Sequence, residues 1–321
     1  MLALSICVTS LVLTNDPDVS FDRSVLAMGT TLQVHLVGDA HQIQQASEDA
    51  IREIERIEAL CSTWQDSSEW SRFNRARGRP TPLSSESITL LQKALWWQHQ
   101  TGGAFDPVLG RLIEVWGIRT QWQVPSDQQL QSARLDSGGS LLVIDASERQ
   151  AKLNRPNAAV EEGGFVKGYA LDRALIKLRA SGIPSGWLNF GGQVTAWGSP
   201  VKSEIALPGR SRRPGFSVVL VDSSLSSSGA SEHGRHILNP HTGIPSPDWG
   251  SVSVVMPDGF SADVLSTALF VMGPREGLAW ADKHQVAALL QPNHSEALES
   301  QAFQLLNPVQ LSNKEAHAAS K

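Results

Sequence analysis

Cysteine is nearly missing from this chain of 321 residues: there are two, Cys7 and Cys61. Two thiols cannot build a disulfide framework, and neither stands at a spacing that metal sites use. Cys61 falls on the apolar face of a helical pattern, where it reads as a small buried hydrophobe. Tyrosine is down to one residue against ten tryptophans, most of them single in amphipathic patterns and so core or rim residues. Positive charge is not in excess either. Lys and Arg number 27 against 32 Asp and Glu, a net charge of −5, which gives no footing for nucleic-acid binding. The densest basic stretch, Arg210, Arg212 and Arg213, lies among Pro208, Gly209, Pro214 and Gly215 and reads as a solvated turn. Internal repeats and long linkers are absent. The composition, 41% hydrophobic and 18% charged, is that of a globular protein.

No apolar run is long enough to span a bilayer. The opening stretch, MLALSICVTSLVLTN, is apolar for about thirteen residues, the length of a signal-peptide core, but it lacks the basic residues that should precede one. Three readings stay open: a shortened signal, a lipoprotein leader with Cys7 as the lipidated residue, or a first strand. Ile6 stands where a leader would have a small residue. The expectation is an exported protein, periplasmic or attached to the inner membrane through its N-terminus alone, with a cytoplasmic one as the alternative. On this reading residues 1–20 are the leader, 21–310 a single folded unit, and 311–321 a polar tail.

Strands and helices follow without regular alternation, which predicts an α+β fold, with mixed sheets and packed helices, over a doubly wound one. Phe21 to Val37 alternates like two strands about a tight turn at Met28–Thr31. Ile43, Ala46, Ala50, Ile54, Ile57 and Leu60 recur at three and four and predict a helix over 40–60. A second runs from Ser84 to Thr101 and stops at Gly102-Gly103. A third carries Leu109, Leu112, Ile113 and Trp116 and ends at Gly117. Gln121 to Leu135 reads as a surface excursion with a short helix, and Leu141–Ile144 with Ala151–Leu153 as a hairpin. Beyond these come a helix from about Tyr169 to Ala180, a strand, Gly-Gly kink and strand over Trp187–Trp197, and strands at 204–207, 216–221 and 252–256. The run SSLSSSGASE reads as a loop of small residues. RHILNPHTG reads as a strand bearing His236 followed by a turn.

Several stretches carry chemistry. In SADVLSTALFVMG, Asp263 and Thr267 are four apart and share a helix face. They offer two oxygens to a hard divalent cation near the end of the helix that favours phosphate. The competing reading is that Asp263 caps the helix and Thr267 bonds back to the backbone. VEEGGFVKGYALDRA places a double glycine and Lys167 before a helix, suited to a polyphosphate, though the spacing is not that of a Walker motif. In the loop CSTWQDSSEWSRFN, Ser62, Thr63, Trp64 and Asn74 either face a ligand, with Trp64 as a stacking plate, or simply pin the loop. His35 reads as a structural histidine on a strand. The cluster His233, His236 and His241 invites zinc, but strand and turn would scatter the rings.

Eight pieces then agree in kind and order with one family: MGTT, STWQDSSEWSRFN, GGAFDPVLG, GGFVKGYALDRA, NFGGQVTAWG, SSSGASE, HILNPHTG and ADVLSTALFVMG. From about Val25 to Gly273 the chain resembles the ApbE-type FAD:protein FMN transferases, or flavin transferases. The resemblance implies an α+β fold with a cleft for FAD and Mg²⁺, and transfer of the FMN half of FAD to a threonine of an acceptor flavoprotein with release of AMP. It implies FAD contacts from Met28, Trp64, Ala104, Phe105, Asp106, Glu161, Lys167, His236 and Ile237. It implies metal ligation by Asp263, Thr267 and the carbonyl of Gly164. The base is left between His236 and a metal-facing carboxylate such as Asp263. Two departures stand out. Glu161 replaces the family's usual Asp before the double glycine, and Gln193 replaces the Asp after NFGG. An amide hydrogen-bonds but takes no proton, so if that carboxylate is the base, FAD would be held with little turnover. Hydrolysis of FAD to FMN and AMP is the third possibility.

Overall fold

The computed structural model describes residues 18–208, 214–229 and 236–311. Residues 1–17 of the expected leader, most of the polar tail and His233 lie outside them, while Val19 and Ser20, counted with the leader, belong to the first strand. Among the described residues no helix is long and apolar enough to cross a membrane.

Strands β1 (Val19–Ala27) and β2 (Thr30–Gly38) form a hairpin. Its turn needs left-handed backbone at Met28 (φ 43°) and Gly29 (φ 72°). Next come α1 (Ile43–Cys61), α2 (Glu69–Arg75), β3 (Thr81–Pro82), α3 (Ser85–Gln100), α4 (Gly110–Val115) and α5 (Asp127–Leu135). The hairpin β4 (Leu142–Asp145) and β5 (Gln150–Leu153) leads to α6 (Val166–Ala180), then β6 (Ser185–Phe190), β7 (Gln193–Trp197), β8 (Val201–Ala206) and β9 (Pro214–Leu220). The last third is β10 (Ser223–Gly229), β11 (Gly250–Met256), α7 (Gly259–Met272), α8 (Pro274–Lys283), β12 (Ala287–Pro292), β13 (Leu298–Glu299), α9 (Gln301–Gln304) and β14 (Val309–Gln310).

One antiparallel sheet of eight strands, in the order β1-β2-β6-β7-β10-β11-β12-β13, is the spine, with three-stranded sheets β14-β9-β8 and β3-β5-β4 beside it. The fold is α+β, as expected. Buried faces of α1, α6 and α7 join strand residues such as Leu32, Val34 and Leu188 in the largest core cluster. A second cluster joins β9 to the spine through Phe216, Val218, Leu225 and Leu289.

Four elements differ from expectation. The described part of the serine run, Ser223–Gly229, is the central strand β10, not a loop. Its hydroxyls pair with neighbouring elements, Ser224 with Thr195 at 2.6 Å and Ser227 with Ser253 at 2.7 Å, so tertiary partners override a weak strand propensity. Gly191 and Gly192 are a hairpin turn rather than a kink, with φ of 61° and 92°, the two left-handed positions that a two-residue reversal requires. Helix α6 begins at Val166, so Lys167 lies in its first turn. The segment bearing His236 is not a strand: Leu238 makes only a bridge to Pro245.

Helices α6 and α7 touch backbone to backbone. A methyl on Gly168 would lie 2.1 Å from the Gly259 carbonyl oxygen, and one on Gly259 would lie 2.7 Å from that of Gly168. Asp172 of α6 accepts from the Gly259 and Phe260 N–H groups at 2.6 and 2.9 Å. Burial pushes its carboxyl up to about 6 despite those bonds. Gly168→Ala is therefore expected to lose about 3 kcal/mol of stability, since neither helix backbone can yield cheaply. A urea midpoint equal to wild type would show that the helices separate freely.

Candidate active site

A cleft of about 410 Å³ opens beside the heads of α6 and α7. Its floor is built by two helices. The turn Glu162–Phe165 enters α6 with Gly164 left-handed at φ 84°, and a methyl there would lie 3.0 Å from Thr267 Oγ1. Glycine thus lets this backbone reach the helix α7 hydroxyl. Asp263, 6% exposed, accepts at Oδ2 from the Gly168 N–H at 3.1 Å. That N–H is one of the first-turn donors of α6 with no partner inside its own helix. Burial pushes the Asp263 carboxyl above its ordinary range, while nearby Lys167 and the Gly168 N–H pull it back. The capping reading of Asp263 fails: Asp258 is the cap, accepting from Ser261 N–H at 2.8 Å, and Asp263 lies more than one turn inside.

Trp64, Ala104, Phe105, Asp106, Glu161, Gly164, Lys167, His236, Ile237, Asp263 and Thr267 all line this cleft. Residues far apart in the chain meet there. Met28 is not part of its wall; its N–H donates to Glu58 Oε2 at 3.2 Å beneath the β1–β2 turn. Asp106 has both oxygens engaged by backbone, Val108 N–H at 2.8 Å and Gly139 N–H at 2.7 Å, so its carboxylate shapes the loop. Burial still pushes its pKa above the ordinary value over the pull of those bonds. Asn74 is likewise structural, bonded to both the N–H and the carbonyl of Val160. Gln193 points away from the cleft: its Nε2 donates to the Gly259 carbonyl at 2.8 Å, and its Oε1 has no partner. A vacant base position is not what this residue occupies.

Sequence reasoning missed Arg119. Its guanidinium lies over the Trp64 ring, 4.6 Å from the centroid, a favourable cation–π distance. The same nitrogen reaches Glu161, Thr63 and Glu162, the last at 2.9 Å. No local signal marked it, because its partners lie about 40 and 55 residues away in the chain, and only folding assembles such a set. Burial, with the neighbouring Glu162, pushes Glu161 up to about 7 against the pull of Arg119. Hydroxyls of Ser227, Ser228, Ser251 and Ser253 complete the wall. A period-two reading of the serine run would have placed Ser227 and Ser228 on opposite faces of a strand, Ser228 toward Ser266 of α7.

The ApbE family model matches residues 28–290. The FAD:protein FMN transferase of Haemophilus influenzae is 29% identical over 290 residues, with 82% of this chain and 84% of that protein covered. The Treponema pallidum FAD:protein FMN transferase is 27% identical, with coverage of 81% and 80%. Among solved structures, the flavin transferase ApbE of Vibrio cholerae superposes with a TM-score of 0.81 at 25% identity, covering 90% of this chain and all of that one (100%). The ApbE protein of Thermotoga maritima has the same fold, with a TM-score of 0.84 at 24% identity and coverage of 89% and 99%.

Glu161 carries a pH signature. Its folded constant, about 7, lies above the ordinary 4.5, so folding favours the protonated acid. The stability it contributes is fully present below about pH 4.5 and is lost as pH rises through about 7. Glu161→Gln should remove up to about 3 kcal/mol of that decline, read as a flatter profile of urea-unfolding free energy between pH 4.5 and 8. Parallel profiles for the two proteins would mean that Glu161 does not titrate in this range.

Proposed function

The chain belongs to the ApbE family, and from that premise we propose that it is an FAD:protein FMN transferase that uses magnesium and a threonine acceptor. The observation that carries the reading is the meeting of Asp263, Thr267 and Gly164 in one cleft, at the head of a glycine-entered helix. A carboxylate, a hydroxyl and a peptide carbonyl are all hard oxygen donors, the set that magnesium prefers. Two features of this chain fit such an ion: a buried carboxylate with no cation in hydrogen-bond contact among the described residues, and a glycine whose missing side chain keeps Thr267 Oγ1 accessible. Bound there, magnesium would neutralise charge on a diphosphate.

The side chains supply the rest. Lys167, in the first turn of α6, adds a positive charge beside the phosphates. The serine hydroxyls on β10 and β11 offer donors along the wall, and Trp64 offers a ring face for a flat group. The acceptor threonine oxygen forms a bond to the FMN-side phosphorus as the bond to the AMP phosphate breaks. AMP leaves, and the hydroxyl proton passes to a base, a role that fits His236 in the same wall. Excluding water from the cleft favours transfer over hydrolysis.

Purified protein with FAD, magnesium chloride and a threonine-bearing acceptor should give a covalently yellow acceptor and AMP in equal amounts. Asp263→Asn should lower magnesium-dependent AMP release by at least about 100-fold. His236→Ala should lower transfer similarly while FAD binding stays within a few-fold of wild type. Free FMN without labelled acceptor would identify a pyrophosphatase, and bound intact FAD a protein that only holds the dinucleotide.

A further inference from the structure

Gln193 lies outside the cleft wall, yet it reaches the helix that carries Asp263. It is 3% exposed and fills the notch between α6 and α7, its Nε2 lying 2.9 Å from where a methyl on Gly168 would stand and 3.3 Å from one on Gly259. Gly259 is the first residue of α7 and is gripped at both its N–H and its carbonyl. Asp172 Oδ1 accepts its N–H at 2.6 Å, and Gln193 Nε2 donates to its carbonyl at 2.8 Å. In an α-helix the carbonyl of residue 259 is also the acceptor for the N–H of residue 263. The amide therefore holds the same oxygen that anchors the Asp263 backbone one turn on.

We infer that Gln193 is a positioning residue for the cation site: with Asp172 it clamps Gly259 and thereby sets where α7 presents Asp263. The inference rests on the reading that a divalent cation sits at Asp263, Thr267 and Gly164. It reverses the expectation that position 193 has lost a base. A carboxylate only accepts when ionised, so Asp or Glu at 193 would set oxygen against the Gly259 oxygen, whereas the amide supplies the donor that this contact requires.

Stability alone does not explain the amide. Its Oε1 is buried without a partner, and an unmade buried hydrogen bond costs at least as much as one neutral bond returns. A side chain of the same length without polar atoms would fill the notch equally well. What it would not do is hold Gly259. Asp263 would then keep its Gly168 contact but lose the fixed height of its own helix turn.

Gln193→Met separates the two roles, because it keeps volume and drops both the donor and the orphan acceptor. Magnesium chloride is titrated by calorimetry into full-length protein saturated with FAD, with urea unfolding measured in parallel. The expected result is a urea midpoint equal to or above wild type together with magnesium affinity weakened about tenfold, the usual effect of removing a group behind a metal ligand. Gln193→Asp should lose both stability and magnesium affinity, and gain no transfer activity. Asp172→Asn, the other jaw, should weaken magnesium as Gln193→Met does, and the double variant should be no worse than the weaker-binding single, since both act on one residue, Gly259. Magnesium binding by Gln193→Met within about twofold of wild type, or an Asp variant that transfers FMN faster, overturns the inference. If wild type itself takes up FAD but no magnesium, both the cation site and the clamp fall. Uptake of magnesium by wild type with no effect at 193 sinks the clamp alone.

Discussion

Everything in this site depends on one close contact, the approach of α6 to α7 at Gly168 and Gly259. At ordinary helix spacing, 8–10 Å between axes, the Gly168 N–H would not reach the Asp263 carboxylate, and Asp172 would not reach the α7 amides. Two glycines bring the helices together where no side chain fits between them. The exposed N–H groups at the head of α6 then meet a carboxylate on α7, while a carboxylate on α6 meets the N–H groups at the head of α7. The arrangement is reciprocal: each helix start supplies donors, and the partner helix supplies the acid. Both acids are held in a poorly solvated setting, and both are pushed upward by it. The difference is in what they face. Asp172 has both oxygens on backbone and is spent on the clamp. Asp263 has one oxygen on Gly168 and stands in the cleft wall, where a cation has something to gain by binding.

Charge across the cleft is arranged with the same economy. Arg119 answers two adjacent acids, Glu161 and Glu162, so the three together carry one surplus negative charge when all are ionised. Burial and mutual repulsion resist that surplus, which is why Glu161 is the one pushed up to about 7. Like-charged neighbours cannot both ionise cheaply in a low dielectric. The guanidinium meanwhile lies on the Trp64 ring and keeps that indole oriented, although the ring is 64% exposed. A solvent-facing tryptophan held by a half-buried ion-pair cluster is ordered in advance, which lowers the entropy cost of any contact made on its face.

Much of this was legible in the chain and some was not, for physical reasons. Periodicity found α1 and α3, because their apolar faces recur at helical spacing, and Gly102-Gly103 marked where α3 stops. The i, i+4 spacing of Asp263 and Thr267 gave the right shared face, since spacing alone fixes direction on a helix. It could not tell which acid caps α7; Asp258 and Asp263 both lie near the start, and only the backbone register decides. The serine strand β10 was illegible because serine has little strand preference of its own. Its hydroxyl partners, Thr195, Ser253 and Ser266, come from three other elements. Arg119 was hidden for the same reason. Gln193 suggested a lost base on the condition that the family's carboxylate serves as one, whereas its placement makes it a donor to a backbone carbonyl.

That last misreading shows where residue type stops being informative. A side chain beside a catalytic motif is read as reactive because reactivity is what residue identity encodes, whereas direction is encoded in the turn that precedes it. The left-handed pair Gly191-Gly192 reverses the chain, so its tip faces the cleft and the next side chain starts a strand that runs away from it. A period of two then sends Gln193 to the helix face of the sheet, into the notch beneath α7, where only a donor can meet the Gly259 oxygen. The same turn that exposes two glycines to the ligand thus buries the residue after them. Chemistry at 193 is dictated by the Gly259 carbonyl that it meets, not by the cleft that Gly191 and Gly192 line.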